Sequence, residues 1–250
     1  MSQENKDYAI QVNDLGLTIK KDTILSDVNI KLEQGKIHGL VGRNGSGKTM
    51  LMKCICGFVK PTSGDIYVDE KKIGKDVDFP QNVGIIIETP GFIPYYSGYR
   101  NLKILANLRK KIGKEEILET MKKVGLEGAE NKLVRKYSLG MRQRLGLAQA
   151  MMEKPDIYIL DEPMSGLDNE GVEDMRGILK ELRKEGKTIL LVSHNNEDIQ
   201  TLCDEIYDIN HGKVTKRDKV ESWYFSIYMV FIRVMKPWLS ILIKVLLIIY

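Results

Sequence analysis

Residues 36–49 read Lys36-Ile37-His38-Gly39-Leu40-Val41-Gly42-Arg43-Asn44-Gly45-Ser46-Gly47-Lys48-Thr49. An apolar, strand-like run ends at Val41, a glycine-rich loop follows, and a helix-compatible stretch continues to about Gly57. The loop fits G-x-x-x-x-G-K-[ST] in the context that pattern requires, after a strand and before a helix. Glycines let backbone N–H groups turn inward on phosphate oxygens. The helix start adds unpaired amides and the positive end of its dipole. Lys48 brings a point charge for β- and γ-phosphates, and Thr49 a hydroxyl for Mg2+. A glycine-rich turn with a chance lysine is the plain alternative, and the flanks argue against it.

Working outward, Ile157-Tyr158-Ile159-Leu160-Asp161-Glu162 is an apolar strand delivering carboxylates to its C-terminal end, where ligands bind in parallel sheets. Asp161 is placed to hold Mg2+, and Glu162 to polarise the water that attacks a γ-phosphate. Short β-rich runs at 8–12, 17–19 and 28–32 open the chain, and a turn at 60–64 precedes a strand at 65–68. The continuous apolar run at 83–88 predicts a strand covered on both faces. Apolar spacing over 100–153 is helical, as it is over about 170–185. TILLV (188–192) is another buried strand, and a hairpin through Asn210-His211-Gly212 closes the body. Strands alternating with helices predict a parallel sheet with helices on both faces, carrying the 100–153 segment as an insert.

Length and composition bound this picture. In 250 residues, 29% charged and 43% hydrophobic, the chain is neither disordered nor a multi-span membrane protein. A net charge of +4 is too small to argue for nucleic acid. Cys54, Cys56 and Cys203 form no paired framework, which suits a reducing compartment, and the polar start MSQENKDYAI carries no secretory signal. The asymmetry lies in 222–250: 22 of these 29 residues are apolar, Arg233, Lys236 and Lys244 are basic, and none is acidic. Its two 13-residue halves, separated by Lys236-Pro237, are each too short to cross the ~30 Å hydrocarbon core. Pro237 breaks or kinks a continuous helix. Three readings stand for this tail: a helical hairpin on the inner leaflet, a helix pair packed on the body or a partner, or a truncated or read-through terminus without a role.

Over about residues 8–216 the sequence resembles the ATP-binding subunits of ABC transporters. Further motifs fall in that family's order: Tyr137-Ser138-Leu139-Gly140-Met141 at the signature position, Ser165-Gly166-Leu167-Asp168 at the D-loop, and Ser193-His194 at the switch histidine. The signature-like element just upstream of the Asp-Glu strand separates this family from kinases and GTPases, and no Asn-Lys-x-Asp motif appears. The resemblance implies an α/β, P-loop NTPase (RecA-like) fold. It has a mostly parallel sheet, an N-terminal antiparallel β subdomain and an inserted helical subdomain at about 92–155, all within a domain spanning 1–221. It implies a head-to-tail dimer holding two ATP molecules. Each lies between Gly42–Thr49 (with Arg43, Asn44, Gly45, Ser46, Gly47 and Lys48) of one copy and Ser138 and Gly140 of the other, with Asp168 nearby. Glu162 and His194 are the implied catalytic groups, and Thr49, Asp161 and Glu88 the oxygens for Mg2+. Two complete half-sites favour a homodimer. Permease subunits are the implied partners, and the cytoplasmic face of the cell membrane the location. A non-transport ATPase acting on nucleic acid or ribosomes is the alternative, but its basic stripes, coiled coil or second nucleotide domain are not seen in the sequence.

The pattern has departures. Leu139 replaces a glycine and Met141 a glutamine of the usual Leu-Ser-Gly-Gly-Gln signature. Glu88, in Glu88-Thr89-Pro90-Gly91-Phe92, stands where glutamine is usual. It ligates Mg2+ more strongly but adds negative charge. This loop, with Tyr-Ser-Leu-Gly-Met, looks like the branch exporting peptide antibiotics, including bacitracin and lantibiotic self-immunity systems. The aromatic that usually stacks on adenine is absent near Ile19, and Tyr8 lies too far upstream. Tyr95, Tyr96 and Tyr99 are candidates for permease docking or for packing of the helical insert.

Overall fold

The computed structural model describes residues 8–89 and 91–217. The readings of the 222–250 tail lie outside the described residues.

The N-terminal part forms an antiparallel four-stranded sheet, ordered β2-β1-β4-β5, from β1 (Tyr8–Ile19), β2 (Asp22–Glu33), β4 (Ser63–Val68) and β5 (Lys71–Lys72). The runs at 8–12 and 17–19 are one strand rather than two. Register shifts between Val12 and Leu17 absorb the polar interruption, and Asp14 sits there at φ 48 with its N–H donated to Asn29 Oδ1 at 2.9 Å. A bulge lets a polar break stay within a ladder, and aspartate tolerates the left-handed conformation.

The second sheet has six strands, ordered β10-β9-β3-β8-β7-β6. They are β3 (Ile37–Val41), β6 (Val83–Ile86), β7 (Ile157–Asp161), β8 (Thr188–Val192), β9 (Glu205–Asn210) and β10 (Lys213–Lys216). All neighbours are parallel except the β9–β10 hairpin. Its turn holds His211 at φ 45 and Gly212 at φ 73, the pair of positive angles a tight hairpin favours.

Helices cover both faces, as expected, but on the second face α1 shares the cover with the antiparallel sheet. One face, including Ile86, Leu160 and Leu191, packs on a helical layer of α2 (Gly98–Arg109), α3 (Lys114–Lys123), α4 (Leu139–Met151) and α5 (Asn169–Lys184). The other, including Leu40, Ile159 and Val192, packs on α1 (Lys48–Ile55) and on apolar side chains of β1, β2 and β4. A short α6 (Asn196–Leu202) follows β8. The position of β6 was not read from the sequence. It is a four-residue strand at the sheet edge, yet both its faces are covered as expected: Ile86 is buried on the helical side, and Val83 and Ile85 pack, half-buried, on the other. Helices α2 to α4 all lie between β6 and β7, as the helical spacing predicts.

Helix starts follow capping chemistry. Ser97, Ser138 and Asp168 cap α2, α4 and α5, their side-chain oxygens accepting from the N–H of Arg100, Met141 and Gly171. Buried Asn101 then fixes the loop before α2, accepting from Ile93 N–H at 2.8 Å and donating to the carbonyls of Ile93 and Ser97.

Candidate functional site

The phosphate loop leaves β3 at Val41 and turns directly into α1. A side chain at Gly42 is excluded, since a Cβ there would lie 2.3 Å from the Ile209 carbonyl oxygen. Gly47 takes φ 109 and, having no side chain, supplies no cap, so the first-turn amides of α1 are left for an anion. Lys48 Nζ donates to the carbonyls of Gly42 (2.7 Å) and Arg43 (3.0 Å). Burial lowers the pKa of that ammonium, while Glu162 and Asp161 oppose the shift. Ser46 Oγ is buried and has no hydrogen-bond partner among the described residues. That hydroxyl packs toward Gly42, and neither Ser46 nor Gly42 lines the cavity described below.

β7 brings the carboxylates to this loop. Thr49 Oγ1 donates to Asp161 Oδ2 at 3.1 Å, joining the start of α1 to the end of β7. Glu162 follows at φ 51, a left-handed conformation that carries strain for a non-glycine residue. Its N–H donates to the Val192 carbonyl, so β8 holds it in place. Its Oε1 lies 3.4 Å from His194 Nε2 and is buried without a hydrogen bond among the described residues. Burial raises the Glu162 pKa, with His194 and Lys48 pulling it back and Asp161 adding to the rise. A carboxyl shifted upward in this way suits a general base working near neutrality.

Lys48, Thr49, Glu88, Asp161, Glu162 and His194 line one cavity of about 540 Å³. Asn44, Gly45 and Gly47 line it too, whereas Arg43 contributes its carbonyl from an exposed position outside the lining. The apolar side chains on its wall are Ile24 and Met50; Ile19, near where an adenine-stacking aromatic is usual, is not part of that wall. For Mg2+ the donor set fits: a hydroxyl and carboxylates, all oxygen, with Thr49 and Asp161 already in contact.

The structure does not bring Ser138, Gly140 or Asp168 into this cavity. Ser138 is exposed at the N-terminus of α4, where its Oγ accepts from Met141 N–H at 3.1 Å. Asp168 is exposed and caps α5. The two segments touch through Leu139, which lies over Gly166 so closely that a Cβ there would be 2.3 Å from Leu139 Cδ2. Leu139 itself is 48% exposed.

Several side chains around the site escaped the sequence reading. Gln143, from α4, lines the cavity with its Oε1 buried and unpartnered among the described residues. The loop carrying His194 is fixed from beneath by a buried chain. Arg176 of α5 donates to Asp198 from Nε (2.9 Å) and Nη2 (2.5 Å), Ser193 Oγ donates to Asp198 Oδ2 (2.8 Å), and Asn195 N–H donates to Ser193 Oγ (3.1 Å). The one available signal was an arginine beside Met175 on the apolar side of α5, which also buries Ile178, Leu179 and Leu182.

A phosphate loop, an Asp-Glu pair at a strand end and a histidine over the glutamate, on a mostly parallel sheet with a helical insertion, define a P-loop ATPase of the cassette type. Residues 25–165 match the ABC transporter family, and the chain belongs to it. It is 44% identical over 211 residues to the ABC transporter ATP-binding protein YybJ of Bacillus subtilis, covering 84% of this chain and 97% of that one. With the bacitracin transport ATP-binding protein BcrA of Enterococcus faecalis it shares 38% identity, over 84% of this chain and 69% of the relative. The dimeric structure of the bacterial ABC transporter cassette MJ0796 superimposes with a TM-score of 0.76 at 26% identity, over 83% of this chain and 97% of that one. The chain is an ATP-binding, ATP-hydrolysing subunit that powers an ABC transporter; such subunits dimerise and work with transmembrane permeases. That kinship does not favour the nucleic-acid or ribosome reading. No helix among the described residues is long and apolar enough to cross a membrane.

Proposed function

We propose that this subunit drives export of a peptide antibiotic or related amphiphile, as one half of a homodimer closed over two ATP molecules at the cytoplasmic face of the membrane. The observation that carries the shared site is the division of its groups. Lys48, Thr49, Asp161, Glu162 and His194 converge on one cavity, while outside it Ser138 of the same chain is exposed and Gly140 half-buried. In this reading the amides of residues 45–49 and Lys48 hold the β- and γ-phosphates of one ATP. The start of a second copy's α4 closes over the γ-phosphate with Ser138 and the Gly140 N–H. Glu162 accepts the proton of the attacking water, and His194 holds the γ-phosphate and reports its loss. When bound, Mg2+ supplies positive charge to the phosphate oxygens, with Thr49, Asp161 and Glu88 as its protein ligands. The domain spans 1–221 with its helical subdomain at about 92–155, and the tail begins at 222.

Support for a permease partner comes from the edge strand. A groove of about 530 Å³ runs along β6 between Phe58, Leu105 and Leu108, and Thr89 lines both this groove and the phosphate cavity. Phe58 and Leu108 are 54% and 76% exposed, apolar surface that an apolar partner would cover. The tyrosines divide. Tyr95 is 70% exposed, whereas Tyr96 stacks under the Arg100 guanidinium at 3.8 Å and Tyr99 is half-buried against the helical core. Tyr95 is therefore the docking candidate among them.

The similarity to a bacitracin transport protein and the Glu88 loop support the cargo class. The test is to co-purify the full chain with its native membrane partner, reconstitute both in vesicles and measure ATPase rate against candidate peptide antibiotics. A peptide-dependent rise in rate is expected; peptide-independent turnover with every candidate refutes the cargo class.

A further inference from the structure

Glu88 is the residue by which this cassette departs most from a glutamine-bearing loop, and its surroundings carry a compensation. Three carboxylates, Glu88, Asp161 and Glu162, line the cavity beside the single ammonium of Lys48. A fourth acidic burden arrives with the triphosphate. Yet Glu88 is not left alone. Lys53 Nζ, from the last turn of α1, lies 2.6 Å from Glu88 Oε1. Lys53 stands four residues after Thr49, so the two share one face of α1 about 6 Å apart along its axis. Glu88 takes φ 60, and its side chain is 62% exposed while still lining the cavity. A half-exposed carboxylate on a loop has many rotamers, and an ion pair through one oxygen selects among them while leaving the second oxygen for another ligand.

Resting on the reading of the site above, we propose that Lys53 is a positioning residue for Glu88: it holds the carboxylate by Oε1 in the cavity wall, offsets its charge against the phosphates, and so prepares it to serve Mg2+. A glutamate can then stand in for the neutral glutamine without repelling the nucleotide. A structural lysine satisfying the carbonyl end of α1 would give no such dependence on Glu88.

The experiment is a double-mutant cycle on the full chain: parent, Lys53→Met, Glu88→Gln and the double variant, with Lys53→Arg as the conservative control. The readout is binding of a fluorescent ATP analogue as Mg2+ is titrated, with thermal unfolding to confirm that each variant folds. Lys53→Met is expected to raise the Mg2+ concentration for half-maximal binding by roughly tenfold, the lower end of what loss of a partner to a metal ligand costs, because the Glu88 side chain is largely exposed. Lys53→Arg should stay within about twofold, and in the Glu88→Gln background Lys53→Met should shift the midpoint by less than about twofold. Equal shifts in both backgrounds overturn the proposal, as does a fall in the Mg2+ requirement, which would make Lys53 a competitor for the carboxylate. A parent that binds no nucleotide at any Mg2+ concentration instead overturns the reading of the site itself.

Discussion

Replacing Asp198 by alanine removes the centre of the buried chain beneath His194. Asp198 is 2% exposed and accepts from Arg176 Nε, Arg176 Nη2 and Ser193 Oγ. Arg176 is itself 4% exposed, so its guanidinium would stay buried with two of its donors orphaned. Breaking a buried pair by deleting one partner costs about 3–5 kcal/mol. Arg176 Nη1 keeps Glu173 at 2.6 Å and Glu197 at 3.2 Å, both largely exposed, which places the expected loss near the lower bound, about 3 kcal/mol. With a urea slope of about 2–3 kcal/mol/M, the unfolding midpoint should fall by roughly 1–1.5 M. Asp198→Asn, which retains an acceptor but not the charge, should lose about half as much. Turnover should drop in both, because Ser193 Oγ, which receives the Asn195 N–H and fixes the His194 loop, loses its anchor. An Asp198→Ala protein that loses less than 1 kcal/mol would show that the exposed glutamates suffice for Arg176, and would sink this account of how His194 is held.

Four further outcomes follow from the same geometry. Gly140→Asp and Ser138→Arg should each abolish turnover at least a hundredfold while single-copy nucleotide binding persists, measured by steady-state ATPase beside binding of a fluorescent analogue; parental rates would end the shared-site proposal. Glu88→Gln should keep a substantial fraction of ATPase activity because its amide oxygen remains a ligand, whereas Glu162→Gln should lose about a thousandfold; equal losses would refute the division of roles. Gly166→Ala should destabilise the parent through the Leu139 contact and the φ of 76, and Leu139→Gly should recover the steric part, read as a partial return of the melting temperature. Stability should fall on acidification in two stages. His38, buried with a pKa lowered by burial, is neutral in the fold, so stability present above about pH 6.5 is lost as pH falls toward its folded pKa. Glu205 is held at about 2: burial pushes it up, and the hydrogen bonds from Lys216 and Lys36 more than reverse that. The stability it contributes is present above its unfolded pKa near 4.3 and is lost between there and about 2. Chemical denaturation across pH 3–8 would resolve both, and a flat profile from 6.5 to 5 would remove His38 from the account.

The legible parts of this chain were those in which chemistry and chain order coincide. The Gly42–Thr49 loop, the strand ending in Asp161-Glu162 and the hairpin at 210–212 are each set by local pattern, and each sits where that pattern places it. Elements whose form depends on neighbours were read less well. The interrupted β1 is one strand because Asn29 of β2 closes over its bulge. The apolar run of β6 told that both its faces are covered, but not that it lies at the sheet edge, which is set by strand order. Lys53 with Glu88 and Arg176 with Asp198 are separated by 35 and 22 residues, and nothing local joins either pair. The motif marks Ser138 as a proposed phosphate contact, while its role as the cap of α4 needed the helix start itself.

The placement of β6 has a mechanical consequence. Only four residue pairs, Val83 to Ile86 against β7, stitch this strand to the rest of the sheet, and the segment bearing Glu88 and Thr89 continues from its tip. A load applied to the outer groove therefore meets a single ladder, backed by α4, which comes so close that a Cβ on Gly84 would lie 2.3 Å from the Ala150 carbonyl oxygen. Such a load passes along four residues to Glu88, whose ion pair with Lys53 ties the loop back to α1 and so to the phosphate loop at that helix's start.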